Sequence, residues 1–129
     1  QIVRAFTKIR TKELKYITAC GLTMNQFEVL EVLYHRGDLQ VGAITKLIMS
    51  TPGNVTVVVK NLTRDGLVQT LPSSEDARVR VVSITEKGKE LIGGMFTQHA
   101  SNLKSYFDVF SDEEMVVAYD LLRKLHKAQ

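Results

Sequence analysis

Two short stretches hold the side chains that the rest of the chain must position. In the first, Ser50, Thr51, Gly53, Asn54, Thr56 and Lys60 gather hydroxyls, an amide, a glycine and one cation, with Val57 among them. In the second, Asp76, Arg78 and Arg80 alternate along a polar run. These groups donate and accept hydrogen bonds rather than make or break covalent bonds. Hydroxyls and the free amides at a helix start suit phosphate oxygens and base edges. A glycine there permits close backbone approach. An arginine at a hairpin tip suits a narrow minor groove, where the potential is most negative. An outward valine can pack on a thymine methyl, so a T-containing, A·T-leaning half-site is expected.

Other chemistry has little to stand on. His35, His99 and His126 lack metal-ligand spacing, and neither H-E-x-x-H nor C-x-x-C occurs. His99 falls on an apolar helix stripe and reads as a packed or ligand-pocket histidine, not a zinc ligand. No nucleophile is paired with a base and no phosphate-cradling loop is visible. No enzyme activity, metal or cofactor is therefore expected. The single cysteine, Cys20, excludes an internal disulfide and agrees with a reducing cytoplasm.

The 129 residues suit one domain with one real core. The chain opens without Met on a helical pattern, so a few leading residues are expected to be missing. No apolar run approaches membrane-spanning length and no signal-peptide pattern opens the chain. The net charge of +3 is mild, but residues 1–20 carry Arg4, Lys8, Arg10, Lys12 and Lys15 against Glu13 alone. That distribution permits nucleic-acid binding without demanding it.

The elements that position the two stretches can be read from caps and periodicity. The run Thr56-Val57-Val58-Val59 favours a strand by propensity. Its borders favour a helix: Thr51 as N-cap, Pro52 at the first turn, and Gly66 as a left-handed C′ residue with Leu67 folding back on Leu62. Val55, Val58, Val59 and Leu62 then share one face. Before it, residues 2 to about 19 form a moderately amphipathic helix. A second helix starts with the capping box Thr23/Gln26 and the staple Leu22/Phe27, and stops at Gly37. Leu39 to Val41 reads as a very short strand, and a third helix buries Ile44, Leu47 and Ile48. Two short helices joined through Met49-Ser50-Thr51 make a helix-turn-helix.

Past Gly66 the period becomes alternating. Leu67–Leu71 and Arg80–Ile84 read as strands flanking the polar loop Pro72–Val79, with Val82 and Ile84 on one face. A hairpin after a helix-turn-helix is a winged helix. Thr85 caps a long helix that Gly93-Gly94 either bends or packs closely. Ser111 and Glu114 box a last helix, with Phe110 and Met115 as its staple. The fold class is thus mainly α, a winged helix-turn-helix over residues 23–87 within a single domain of residues 1–129. The end helices, residues 1–22 and 88–129, show more apolar surface than one small lobe can cover. A twofold dimer is the natural outlet.

In this order the elements resemble the MarR family of bacterial transcription regulators, over essentially the whole chain. The most specific likeness is Asp76-Ala77-Arg78 followed by Val82-Ser83-Ile84-Thr85-Glu86-Lys87-Gly88. It resembles the family's D-x-R wing tip and V-x-L-T-x-x-G junction. The resemblance implies a homodimer with intertwined end helices on a pseudo-palindromic operator in double-stranded DNA. Recognition helices would enter successive major grooves and wings the flanking minor grooves. It also implies release by a small phenolic or lipophilic effector, or by cysteine oxidation, in many members. Redox-sensing relatives carry their cysteine nearer the start of the first helix than Cys20. By the same resemblance, Asp76 orients the wing by pairing with Arg78 or Arg80. Val57 departs from the family, where an arginine commonly follows the threonine matching Thr56. That departure keeps open a winged-helix protein-interaction module with little DNA binding, and Cys20 keeps open a redox-responsive regulator.

Overall fold

The computed structural model describes residues 1–128. Six helices and one hairpin make up those residues: α1 (Ile2–Ala19), α2 (Met24–Arg36), α3 (Val41–Leu47), α4 (Pro52–Arg64), β1 (Val68–Pro72), β2 (Arg80–Ile84), α5 (Glu86–Phe107) and α6 (Asp112–Lys127). None of the helices is long and apolar enough to cross a membrane.

The caps decide most of the boundaries. The Thr23 side chain accepts from the Gln26 amide while the Gln26 side chain accepts from Thr23 N, the reciprocal box the sequence predicts. Ser111 and Glu114 form the same box at α6, and Thr85 Oγ1 accepts from Gly88 N at α5. The β-branched run of α4 is helical because Thr51 caps one end and a Schellman motif closes the other. Leu67 N donates to Leu62 O at 2.9 Å, Gly66 N donates to Thr63 O at 3.0 Å, and Gly66 adopts φ +75°.

The hairpin is antiparallel, in the register Val68↔Ile84, Thr70↔Val82 and Pro72↔Arg80. Its first strand runs one residue later than the alternation suggests, because Leu67 is spent on the helix cap. The short strand expected at Leu39–Val41 is a single bridge from Leu39 to Val82. Val41 already belongs to α3.

One core joins α1–α5 and the hairpin. Ile17, Leu30, Leu33, Ile44, Val55, Leu62, Val68 and Val82 are all buried at its centre. α4 packs against α2, α3 and β1, so the recognition candidate is held from behind on three sides. One apolar expectation fails: Leu47 is exposed, and Thr45 is buried instead, its hydroxyl donating to Val41 O at 2.8 Å. Phe110 and Met115 flank the capped start of α6, which buries no residue at all. The helix α5 runs unbroken through Gly93-Gly94, where Gly93 lies against the Tyr34 ring.

Candidate nucleic-acid interface

The outward face of α4 carries what the sequence assigned to it. Gly53, Asn54, Thr56, Val57 and Lys60 are exposed, while Val55, Val59 and Leu62 anchor the opposite face. Beyond its chain neighbours and its own helix backbone, no described residue lies within 4 Å of the position a Gly53 side chain would take, so the glycine leaves open space on this face. Thr51 Oγ1 accepts from Asn54 N at 3.3 Å; its own hydroxyl proton remains free for a phosphate. The Thr56 hydroxyl is committed differently, donating to Pro52 O at 2.8 Å. It faces a partner as an acceptor unless that bond is exchanged. Lys60 makes no ion pair among the described residues.

Ser50 is half-buried in the turn, its amide donating to Thr45 O at 3.1 Å. The residue before it escaped the sequence reading. Met49 has φ +52° and is 89% exposed, a left-handed backbone on a bulky side chain that packs on almost nothing. A methionine where a turn would favour Gly or Asn was the available signal.

At the wing the acid finds its partner next door. Arg78 Nε and Nη2 donate to the two oxygens of Asp76, both at 3.1 Å, and Arg78 N donates to Oδ1 at 3.0 Å. The Arg78 side chain holds the Asp76 carboxyl below its usual range, and the backbone bond adds to this. Arg80 is instead spent on the strand, donating to Thr70 O at 3.1 Å. Of the two arginines the sequence left open, Arg78 is the one paired. It is still 90% exposed at the tip, so the pairing fixes its direction without hiding its charge.

The wing and α4 share a joint with α5. Thr85 Oγ1 donates to Gly66 O at 2.7 Å, Thr85 N donates to Leu67 O at 3.1 Å, and Lys87 Nζ donates to Asp65 O at 2.9 Å. A side chain at Gly88 would place its Cβ 2.3 Å from Leu67 O and 2.7 Å from Ile84 Cγ1. The T-x-x-G stretch therefore bolts the start of α5 onto the end of α4.

A second polar cluster lies on the far side of α2. His99 Nδ1 meets Glu13 Oε2 at 2.6 Å, its Nε2 stands 3.4 Å from Glu31 Oε1, and Tyr106 donates to Glu13 Oε1 at 2.7 Å. Glu31, despite its longer contact, and Glu13 raise the imidazole pKa against the opposing pull of burial. Burial first, then Glu13, pushes the Tyr106 hydroxyl up to about 12, so it stays a donor. His99 is thus the packed, pocket-facing histidine the sequence suggested. Among the described residues no His, Cys, Asp and Glu group could hold a metal. Cys20 is half-buried against the core at the end of α1.

Known proteins match this geometry. The sequence model of the MarR family matches residues 22–79. The HTH-type transcriptional regulator MhqR of Bacillus subtilis is 34% identical over 122 residues, covering 95% of this chain and 84% of that protein. Among solved structures, BpsR of Bordetella bronchiseptica, whose DNA binding is regulated by 6-hydroxynicotinic acid, superposes with a TM-score of 0.85 at 25% identity. That match covers 99% of this chain and 91% of BpsR. A MarR family protein from Bacillus stearothermophilus gives 0.76 at 28% identity, covering 98% and 89%.

Proposed function

Since the chain belongs to the MarR family of helix-turn-helix transcription regulators, DNA-binding proteins and not enzymes, we propose that it represses transcription as a cytoplasmic homodimer on a pseudo-palindromic operator. Residues 23–87 form the DNA-binding lobe; residues 1–22 and 88–129 form the dimer. The observation that carries the reading is the pairing of an outward, low-charge α4 face with a charged wing tip. α4 offers Asn54, the Thr51 hydroxyl, Val57 and Lys60 to the major groove. Arg78, aimed by Asp76, enters the minor groove. Val57 in place of a cation shifts affinity toward the wing and leaves base choice to apolar contact with thymine.

Dimerisation is supported by what α6 and the start of α1 leave uncovered: Leu121, Leu122 and Leu125, with Ile2, Val3 and Phe6, are each more than half exposed. Two copies place two recognition helices about one helical turn apart on the duplex. Anything that alters their separation weakens both contacts together. By similarity to BpsR, a small ligand acting on the helices behind α4 releases the operator.

Selection from a pool of random duplexes tests the reading and yields the operator. Against that operator, Arg78→Ala is expected to weaken binding and to lower the slope of log K against log salt by about one unit per protomer. Equal binding by wild type and variant across the salt titration would remove the wing from the mechanism.

A further inference from the structure

One face of α1 carries charge that nothing in the chain answers. Arg4, Lys8, Lys12 and Lys15 are all exposed. At about 100° per residue they fall within roughly 80° of the helix circumference, along about 16 Å of its axis. Glu13 and Ile17, the buried residues of this helix, point to the other side. Arg10 also lies off the stripe and is paired with Glu28. None of the stripe cations makes an ion pair among the described residues. Lys12 stands 5.2 Å from the centre of the Tyr106 ring, a contact that steadies the side chain and keeps its charge.

Like charges three and four residues apart on a helix repel, so the stripe weakens α1 with no return inside the chain. Its threonines are free as well. The hydroxyls of Thr45, Thr56 and Thr63 donate to the carbonyl four residues back, whereas Thr7 and Thr11 make no such bond among the described residues. Thr7 and Thr11 line one shallow groove with Arg4, Lys8 and Lys12. The groove lies between two ridges of the helix, threonines along one and cations along the other. We propose that this groove holds the sugar–phosphate backbone of a second DNA duplex without regard to sequence, so that one molecule bridges two stretches of DNA. The bridging rests on the reading of the protein as an operator-binding regulator; the affinity of the stripe for a duplex does not.

The occupant follows from shape and charge. A phosphate backbone in the groove meets hydroxyl donors on one side and cations on the other, at steps of about 6 Å along the axis. A duplex offers its charges in a line longer than the stripe. A membrane surface fits less well, because a helix that lies on lipid inserts its apolar face. Here that face carries Ile17 into the core, and Ile2 and Phe6 to the proposed dimer contact. Nor is the duplex the one offered to α4. α1 packs on α2 and α5, and α4 packs on α2, α3 and β1, so α2 stands between them. With its buried face on α2 and α5, α1 turns the stripe away from the lobe.

The test combines Arg4→Gln, Lys8→Gln, Lys12→Gln and Lys15→Gln, since glutamine has a helix propensity close to that of lysine and arginine. Wild type and this variant, checked for an unchanged melting profile, are each loaded onto an immobilised operator duplex, washed, and offered a labelled duplex of unrelated sequence. Wild type is expected to capture it, with log K falling by about 0.9 per neutralised phosphate for each unit of log salt. The variant should bind the operator as wild type does and the second duplex about ten-fold more weakly or worse. Equal capture by the variant overturns the proposal. So does operator binding that falls together with capture, which places the stripe on the operator duplex itself. Phosphatidylserine vesicles and poly-glutamate serve as other polyanions, and stripe-dependent binding to either as tight as to duplex overturns the choice of DNA. If wild type binds no operator, the DNA reading of α4 fails. Titration of the unrelated duplex into wild type and variant in solution then decides the stripe alone: weaker binding by the variant supports it, and equal binding sinks it.

Discussion

The lobe built from α2, α3, α4 and the hairpin and the helices at the two chain ends spend their apolar residues in opposite ways. In the lobe, Leu30, Leu33, Ile44, Val55 and Leu62 are almost wholly buried by partners from the same chain. In α6, Val117, Leu121, Leu122 and Leu125 repeat at helical spacing and each stays more than half exposed. α2 and α4 of the lobe and α6 all carry side-chain N-caps, so the contrast does not lie in local helix signals. It lies in whether the chain contains the surface that the apolar stripe needs. The lobe is complete within one copy, whereas α6 is a stripe without a partner, far more apolar surface than an isolated helix leaves in water.

That contrast can be broken most forcefully at α6. Leu121→Asp combined with Leu125→Asp is expected to give a monomer in sedimentation, with the lobe still folded. Operator affinity should fall roughly a hundred-fold or more, because the second half-site contact is no longer intramolecular. A dimeric double variant would disprove the assignment. The matching change in the lobe, Leu62→Ala, should cost about 2–5 kcal/mol at any protein concentration, since its cavity opens inside one chain. Wild type and Leu62→Ala should both keep a midpoint that falls on dilution, whereas the α6 double variant should not; an α6 variant whose midpoint moves with dilution as much as that of wild type would erase the distinction.

The joint between the two regions comes next in size. Gly88→Ala drives a methyl into Leu67 O, a backbone atom with no rotamer to escape into. The start of α5 must then lift from the end of α4, at about 1–3 kcal/mol in urea denaturation. Operator affinity should fall with it, because the wing hangs from the same joint. A stable Gly88→Ala protein that binds DNA normally would show that the lobe and the long helix are independent.

The same division explains what could be read in advance. Caps are local: Thr51, Pro52 and Gly66 lie within one helix and its exit, and they overrode a run of valines and threonine that favours extended backbone. The hairpin register follows from alternation plus one residue lost to the cap. The Glu13–His99–Tyr106 cluster was not legible. Glu13 meets partners 86 and 93 residues away, and nothing in the α1 pattern separates it from a solvated acid. Leu47, expected in the buried stripe, lies outside it for a related reason. A seven-residue helix offers too few turns for periodicity to fix which side is covered. The paired arginine of the wing was not legible either, because Arg78 and Arg80 stand two and four residues after Asp76 and both spacings lie within side-chain reach across a hairpin tip.

The polar cluster gives the contrast a pH dependence, since it ties α1 and α5 of the end region to α2 of the lobe. His99 faces Glu13 from α1 and Glu31 from α2, with Tyr106 on its own helix held neutral. Its folded pKa is raised above the unfolded value of about 6.5. The stabilisation is therefore full below about pH 6.5 and is lost as pH rises through the folded value. Urea midpoints should fall over that upward range, and His99→Gln should flatten the fall. A midpoint that rises with pH in the wild type alone would reverse the assigned charge state.

The smallest expected effect sits in the turn of the lobe, at the one described non-glycine residue with positive φ. Holding Met49 in the left-handed region costs roughly 1–2 kcal/mol relative to glycine. Glycine loses about 0.5–1 kcal/mol more backbone entropy on folding. Met49→Gly should therefore raise stability by somewhat less than about 1 kcal/mol, the difference between those two terms. Its side chain is 89% exposed and forms no part of the core. Its place directly before Ser50 and Thr51 puts it at the edge of the surface proposed to face DNA. A residue that strains the turn and packs on almost nothing within the chain is best accounted for by a contact made only in the complex. Met49→Gly is thus expected to separate two quantities that core variants move together, with the denaturation midpoint rising while operator affinity falls. A variant that gains stability and binds DNA as well as the wild type would leave the strained methionine without a role at the interface.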